Sequence, residues 1–333
     1  MNKIDIKDIE EVLPKTTCKS KNKNLSRARS KKNDEFYTEL PDIENELIHY
    51  RGHFRNKVVL CNCDDPFVSN FFKYFSYNFE FLGLKKLITV CYKNQNLEAF
   101  SKNLSERAIY LEYDGFKVGE RLPNIEDIGV KYLKGDGDFR SDECIELLKQ
   151  ADVVVTNPPF SLFREYVSQL IKYEKKFLII GNGNAVTYKE IFPLIKNNQI
   201  WLGVTTPKLF LKSLGPLVYW FTNLSHKKRN EELILIKKYE GNEKDYPKYK
   251  NYDAIEVSKV ANIPKDYYGV MGVPISFLEK YNPDQFEIVD INPHFFTIKE
   301  QGLPYPGQLQ IENQKDPYAR ILIRRKNRSE NIT

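Results

Sequence analysis

The sequence predicts an α/β protein with an open, mostly parallel sheet and flanking helices, preceded by a basic arm and followed by a C-terminal extension. Three observations predict it. Apolar runs of strand length alternate with helical patterns from about residue 55 to residue 224. The clearest of these runs is continuous and β-branched, as in strands covered on both faces. With 333 residues, 41% of them hydrophobic and 29% charged, the chain also has enough apolar material for a sizeable core.

Residues 1–33 lack apolar periodicity, apart from a short amphipathic stretch at 4–13, and are expected to form a flexible arm. Eight basic residues and no acidic one lie between Lys15 and Lys32, and the run Arg320, Arg324, Arg325, Lys326, Arg328 also lacks acids. The net charge is +6, and without these two stretches it is −7, so the positive charge gathers at the chain ends. Such arms suit phosphate backbones, and equally a solvated tail.

Residues 34–224 are expected to form the main domain. KVVLCN at 57–62 reads as a buried strand, followed by a helix over 66–79, and KLITVCY at 86–92 as a second strand. A Gly/Asp loop at 135–140 precedes a helix over 141–150, with Ser141 as N-cap and two acids in its first turn. DVVVT at 152–156 is the β-branched run. A helix over 161–174 and a strand at 176–181 follow, then a helix over 187–198 and strands at 200–204 and 217–222. Beyond Leu224 tyrosines lie among Lys, Asn and Pro, and residues 225–333 read as an α+β or loop-rich extension packed on the sheet.

Several classes drop out. No run of about 18 apolar residues exists, and no apolar segment follows the Lys-rich start, which argues against a membrane span and a secretory signal. Five scattered cysteines fit a reducing cytoplasm better than a disulfide framework. Cys61-x-Cys63 has no matching Cys or His cluster, and the four histidines show no metal spacing, so no metal site is expected. Gly181-Asn-Gly183 lacks the third glycine of a dinucleotide fingerprint and is read as a strand-end turn lining the same cleft as the motif described next.

The sharpest chemical signal is Asn157-Pro158-Pro159-Phe160, directly after DVVVT and directly before a helix. In open α/β sheets ligands gather at the carboxyl ends of strands. Two prolines fix φ and lack N–H groups, so the Asn157 carboxamide and the Pro158 carbonyl form a rigid acceptor pair. A planar amine held there has its hydrogens committed and its lone pair directed out of plane, while Phe160 offers a face for a heteroaromatic ring. This constellation suits methylation of an exocyclic amino group.

Asn157–Phe160 resembles the catalytic motif of amino-methyltransferases that use S-adenosyl-L-methionine. DEFYTEL (34–40), DIENELIHYR (42–51), VVLCNCDDPFVSNFFKYF (58–75), GDGDFRS (135–141), VVTNPPFSLFREY (154–166), NYDAI (251–255), GVMGVPISFL (269–278) and ARILIRRK (319–326) resemble the EcoRI-type adenine-specific DNA methyltransferases. The resemblance covers most of the chain after the arm. It implies a Rossmann-like methyltransferase fold with a C-terminal target-recognition extension, the cofactor S-adenosyl-L-methionine, and double-stranded DNA as partner. It also implies a monomer in a type II restriction–modification system, beside a cognate endonuclease that forms no stable complex with it.

Carried over by residue, Asn157, Pro158, Pro159 and Phe160 would receive N6 of a flipped adenine, with Asn157 also facing the cofactor. Asp138, with Phe139 beside it, would hold the cofactor adenine, and Phe36, Tyr37 and Thr38 would cover its methionine part. After the first strand the superfamily has a Gly-rich turn, whereas this chain has Cys61-Asn62-Cys63-Asp64-Asp65-Pro66. Asn62, Asp64 and Asp65 are the cofactor candidates there, Pro66 is expected to open the helix, and Tyr92 after the second strand is expected to pack on the cofactor. Lys208, Lys212, Lys227, Lys228 and Arg229 are candidates for reading bases. The segment between Gly203 and Trp220 looks shorter than in EcoRI-type relatives and the stretch 293–315 resembles them poorly, which leaves the target sequence open. RNA or protein-glutamine methylation through the same pocket, and an inactive DNA-binding relative, stay as alternatives.

Overall fold

Each continuous apolar run becomes a strand of one eight-stranded sheet in the computed structural model. The structure describes residues 38–63, 65–67, 69–92, 108–119, 124–208, 217–292, 308–312, 317 and 319–327. The expected N-terminal arm lies outside these residues. The strands are β1 (Val58–Cys61), β2 (Lys86–Cys91), β3 (Ile109–Tyr113), β4 (Lys131–Tyr132), β5 (Val153–Thr156), β6 (Lys176–Asn182), β7 (Trp201–Leu202) and β8 (Val218–Thr222). Their order is β4-β3-β2-β1-β5-β6-β8-β7. The central four, β2, β1, β5 and β6, are parallel, and the two strands at each margin join antiparallel.

Alternation along the strands explains why both faces are covered. Val58, Leu60, Val154, Phe177 and Ile179 belong to one apolar cluster, whereas Val59, Cys61, Val153, Val155, Leu178 and Ile180 belong to another. The second cluster is closed by helices α1 (Leu40–Leu47), α2 (Asn70–Tyr77) and α3 (Phe79–Leu82). Beyond the small turn α4 (Ile125–Ile128), helices α5 (Asp142–Gln150), α6 (Phe163–Lys172) and α7 (Phe192–Lys196) close the first. Ser141 caps α5 as expected, its hydroxyl accepting from Cys144 N at 3.3 Å.

Two helix starts differ from expectation. Pro66 does not open α2; the Asp65 carbonyl takes Ser69 N at 2.7 Å, and the Ser69 hydroxyl caps the helix by accepting from Phe71 and Phe72. The helix expected over 187–198 is confined to Phe192–Lys196, because Pro193 lacks an N–H and fits only a first turn.

The C-terminal extension contains a second sheet, β9 (Ile255–Glu256), β10 (Val270–Pro274), β11 (Phe286–Asn292) and β12 (Arg320–Arg325), in the order β11-β12-β10-β9. Met271, Val273, Ile288, Ile321 and Ile323 join the same cluster as Phe192 and Ile195 of α7, so the extension shares a core with the main sheet. Residues 35–333 accordingly form one compact unit. Within the small sheet the buried Glu256 carboxylate is gripped by Arg320 at 2.8 Å and accepts from the Tyr249 hydroxyl.

Candidate active site

The strand order reverses at β1, which pairs with β2 on one side and β5 on the other. Such a reversal opens a crevice at the carboxyl ends of the strands. Asn62 and Cys63 leave β1 there, Tyr92 leaves β2, and Asn157 leaves β5. With Gly137, Asp138, Phe139 and Arg140 from the loop after β4, and with Pro159 and Leu162, they line a cavity of about 190 Å³.

Each wall has an identifiable support. Asn62 is buried and its carboxamide oxygen accepts from the Tyr166 hydroxyl on α6. Gly137 sits at φ +81°, and a Cβ there would lie 2.8 Å from Ala108 Cβ and 2.9 Å from the Cys91 carbonyl, so only glycine lets the loop pass beneath β2. Phe139 is buried edge-on against Tyr166 at 5.0 Å, and its carbonyl accepts from Gln169 Nε2 at 3.0 Å. The Arg140 guanidinium, hydrogen-bonded to Asp138, holds that carboxyl below the usual carboxylate range. It is therefore a fixed anion at neutral pH.

At the end of β5 the two prolines do what their chemistry requires. Pro158 is buried, while Pro159 (φ −55°, ψ 125°) caps a single 3-10 turn, Phe160–Leu162, by accepting from Leu162 N at 3.0 Å. Asn157 and Phe160 stay half-buried, and Phe160 packs partly on the cluster beneath α1 and α2. The tetrapeptide thus bridges the cavity and the opposite face of the sheet.

The structure brings six of the thirteen predicted catalytic and cofactor residues together at the cavity, while Pro158 and Phe160 flank it without lining it. Asn62, Tyr92, Asp138, Phe139, Asn157 and Pro159 line the cavity. Thr38 is buried, its carbonyl accepting from Asn70 Nδ2 at the start of α2. Its hydroxyl has no hydrogen-bond partner among the described residues. Asp65 does not line the cavity; its Oδ1 accepts from Phe67 N at 2.9 Å and shapes the turn after β1. Phe36, Tyr37 and Asp64 lie outside the described residues, as does Lys212.

Gly181 and Gly183 do not line this cavity. A Cβ on Gly181 would strike the Phe163 ring at 2.4 Å, so this glycine lets α6 close on the sheet. Of the proposed base readers, Arg229 stacks 3.9 Å from the Trp201 ring and Lys228 donates to the Val204 carbonyl, which ties both to the protein itself. Sequence reading missed Cys63, Gly137, Arg140 and Leu162. The GDGD string signals Gly137, but nothing in it signals that Arg140 turns back on Asp138.

Among the described residues no group of three or more His, Cys, Asp and Glu could hold a metal. None of their helices is long and apolar enough to cross a membrane.

The cavity's chemistry suits an adenosyl amino acid: a fixed carboxylate, two carboxamides, and the walls of Tyr92, Phe139 and Leu162. The family model described as "Adenine-specific methyltransferase EcoRI" matches residues 24–212 and 210–326. The chain belongs to this family. As an EcoRI-type adenine-specific methyltransferase, it is 51% identical to the Type II methyltransferase M.EcoRI of Escherichia coli, over 92% of this chain and 97% of that protein. It is 40% identical to the Type II methyltransferase M.MgeORF184P of Mycoplasma genitalium, over 91% and 98%. With the Type II methyltransferase M.MpnI of Mycoplasma pneumoniae the identity is 39%, over 91% and 98%. No solved structure matches the chain.

Proposed function

We propose that this EcoRI-type methyltransferase transfers a methyl group from S-adenosyl-L-methionine to N6 of a flipped-out adenine in double-stranded DNA. It would act as a monomer in a type II restriction–modification system, with a cognate endonuclease that forms no stable complex with it. The observation that carries the reading is the placement of Asn157-Pro158-Pro159-Phe160 beside the strand-order reversal, with Asn157 and Pro159 lining a cavity whose other walls include Asn62, Tyr92, Asp138 and Phe139.

When bound, S-adenosyl-L-methionine supplies an activated methyl group on its sulfonium. Asp138 and Phe139 would hold its adenine, Tyr92 would pack on it, and Asn62 would face its polar part, with Phe36, Tyr37, Thr38 and Asp64 or Asp65 completing the site. Asn157 Oδ1 and the Pro158 carbonyl accept the two hydrogens of the target amine, which leaves its lone pair free to attack. These fixed acceptors also stabilise the positive charge that develops on N6, and no covalent enzyme adduct is needed. Phe160 gives the extruded base a stacking face, offsetting part of the few kcal/mol that unstacking costs. Basic residues at the chain ends would add phosphate contacts.

Labelled S-adenosyl-L-methionine and unmethylated duplex DNA test the reading, with the product digested to nucleosides. Label in N6-methyladenine is expected. Label that appears only on RNA or protein offered in parallel would overturn it.

A further inference from the structure

Among the described residues, one accounts for every hydrogen bond to the Asp138 carboxylate. Arg140 donates to Oδ1 through its backbone N at 2.8 Å and its Nε at 2.9 Å, and to Oδ2 through Nη2 at 2.6 Å. A carboxylate offers roughly four acceptor directions, so one, on Oδ2, is left. The remaining arm of the guanidinium, Nη1, donates to Glu165 Oε2 at 2.9 Å. Glu165 lies on α6, directly behind the catalytic motif, and so do Tyr166 and Gln169, which hold Asn62 and the Phe139 carbonyl. The Arg140 and Glu165 side chains are about half-exposed, at 51% and 56%. Pairs that wet contribute little to stability, so this fork is better understood by what it orients.

We propose that Arg140 is a positioning residue for the cofactor: braced by Glu165 on α6, it fixes Asp138 with a single open acceptor site, suited to one N–H of the exocyclic amine on a purine. The inference rests on the cavity being the cofactor site. It differs from that reading in assigning the orientation of Asp138 to a residue that does not itself hold the purine amine.

The test is calorimetric titration of the full-length protein with S-adenosylhomocysteine and with its 6-oxo counterpart, S-inosylhomocysteine, which lacks the amine. Arg140→Ala should weaken the amino ligand about tenfold, the scale of one misdirected hydrogen bond. It should leave the 6-oxo ligand unchanged within about twofold and the Tm within about 2 °C. Arg140→Lys should recover little, because an ammonium cannot form the fork. Equal weakening of both ligands would reduce Arg140 to a structural role, and tighter binding of the amino ligand would make it a competitor for Asp138; either overturns the proposal. Asp138→Asn separates the two levels. If it binds both ligands like wild type, the cofactor reading of the cavity fails too. If it loses the amino ligand while Arg140→Ala does not, only the role of Arg140 falls.

Discussion

Two carboxylates, Glu46 and Asp138, are each surrounded by donors, and they do opposite work. Glu46 on α1 is fully buried, and its oxygens accept from the Tyr50 hydroxyl, Val204 N, Thr205 N and the Thr205 hydroxyl. That fills its roughly four acceptor directions. One turn earlier Asp42 takes Lys208 N, so α1 fastens the whole 204–208 segment to the sheet. Gly203 makes the approach feasible, since a Cβ there would sit 2.3 Å from Glu46 Oε1. Asp138, 23% exposed, has one residue for its donors among the described residues, which leave one direction open. A saturated buried anion holds structure together, whereas an unsaturated one at a cavity wall can still recognise a ligand.

The largest effect should come from breaking the saturated site. Glu46→Ala leaves several buried donors without an acceptor and should cost about 3–5 kcal/mol in urea unfolding. A loss below about 1 kcal/mol would mean that water replaces the carboxylate and that the anchor matters little.

The same anchor carries a pH signature. His226 stacks edge-on to Tyr50 and donates through Nε2 to the Leu202 carbonyl, while its Nδ1 is buried without a partner among the described residues. Burial, reinforced by nearby cations, lowers its pKa to about 4. The folded state therefore keeps the ring neutral while the unfolded chain protonates near pH 6.5. The stability this provides is complete above pH 6.5 and is lost as pH falls towards 4, on the order of 3 kcal/mol in all. His226→Gln should flatten that part of the curve; an unchanged slope would reassign it to other groups.

At Asp138 the sign lies in another window. Its pKa is lowered, chiefly by Arg140, so the anion persists down through the ordinary carboxylate range. S-adenosylhomocysteine affinity should be flat from about pH 8 to pH 5. A titration step of one proton within that interval, removed by Asp138→Asn, would contradict a carboxylate held ionised by Arg140. The smallest effect belongs to the brace. Glu165→Gln should weaken S-adenosylhomocysteine about threefold and leave the Tm unchanged, as exposed pairs do.

The two regions also differ in how far the sequence discloses them. The parallel centre was legible because Val58–Cys61, Val153–Thr156 and Lys176–Asn182 are buried on both faces and read as continuous apolar runs. Strand β3 escaped because Tyr110 and Glu112 interrupt the run on its more open face. The small sheet escaped because β9 has two residues and β12 pairs across nearly fifty positions of intervening chain with β10, a strand containing glycine and proline. At the site, the tetrapeptide after β5 was legible from its setting between strand and helix. The Arg140 fork was not, because it depends on side-chain geometry that two-residue spacing leaves undetermined. The Glu46 anchor joins residues 158 positions apart, which only the folded chain brings together.

Cofactor binding at the cavity and methyl transfer at the tetrapeptide should separate on substitution. The most direct measurement is Asn157→Ala read twice, by calorimetry with S-adenosylhomocysteine and by label transferred to N6-methyladenine in duplex DNA. Loss of transfer by about 10²–10³-fold, with affinity for S-adenosylhomocysteine retained within a few-fold, is the predicted result. Transfer that survives the substitution would contradict it and place the methyl acceptor site elsewhere on the molecule.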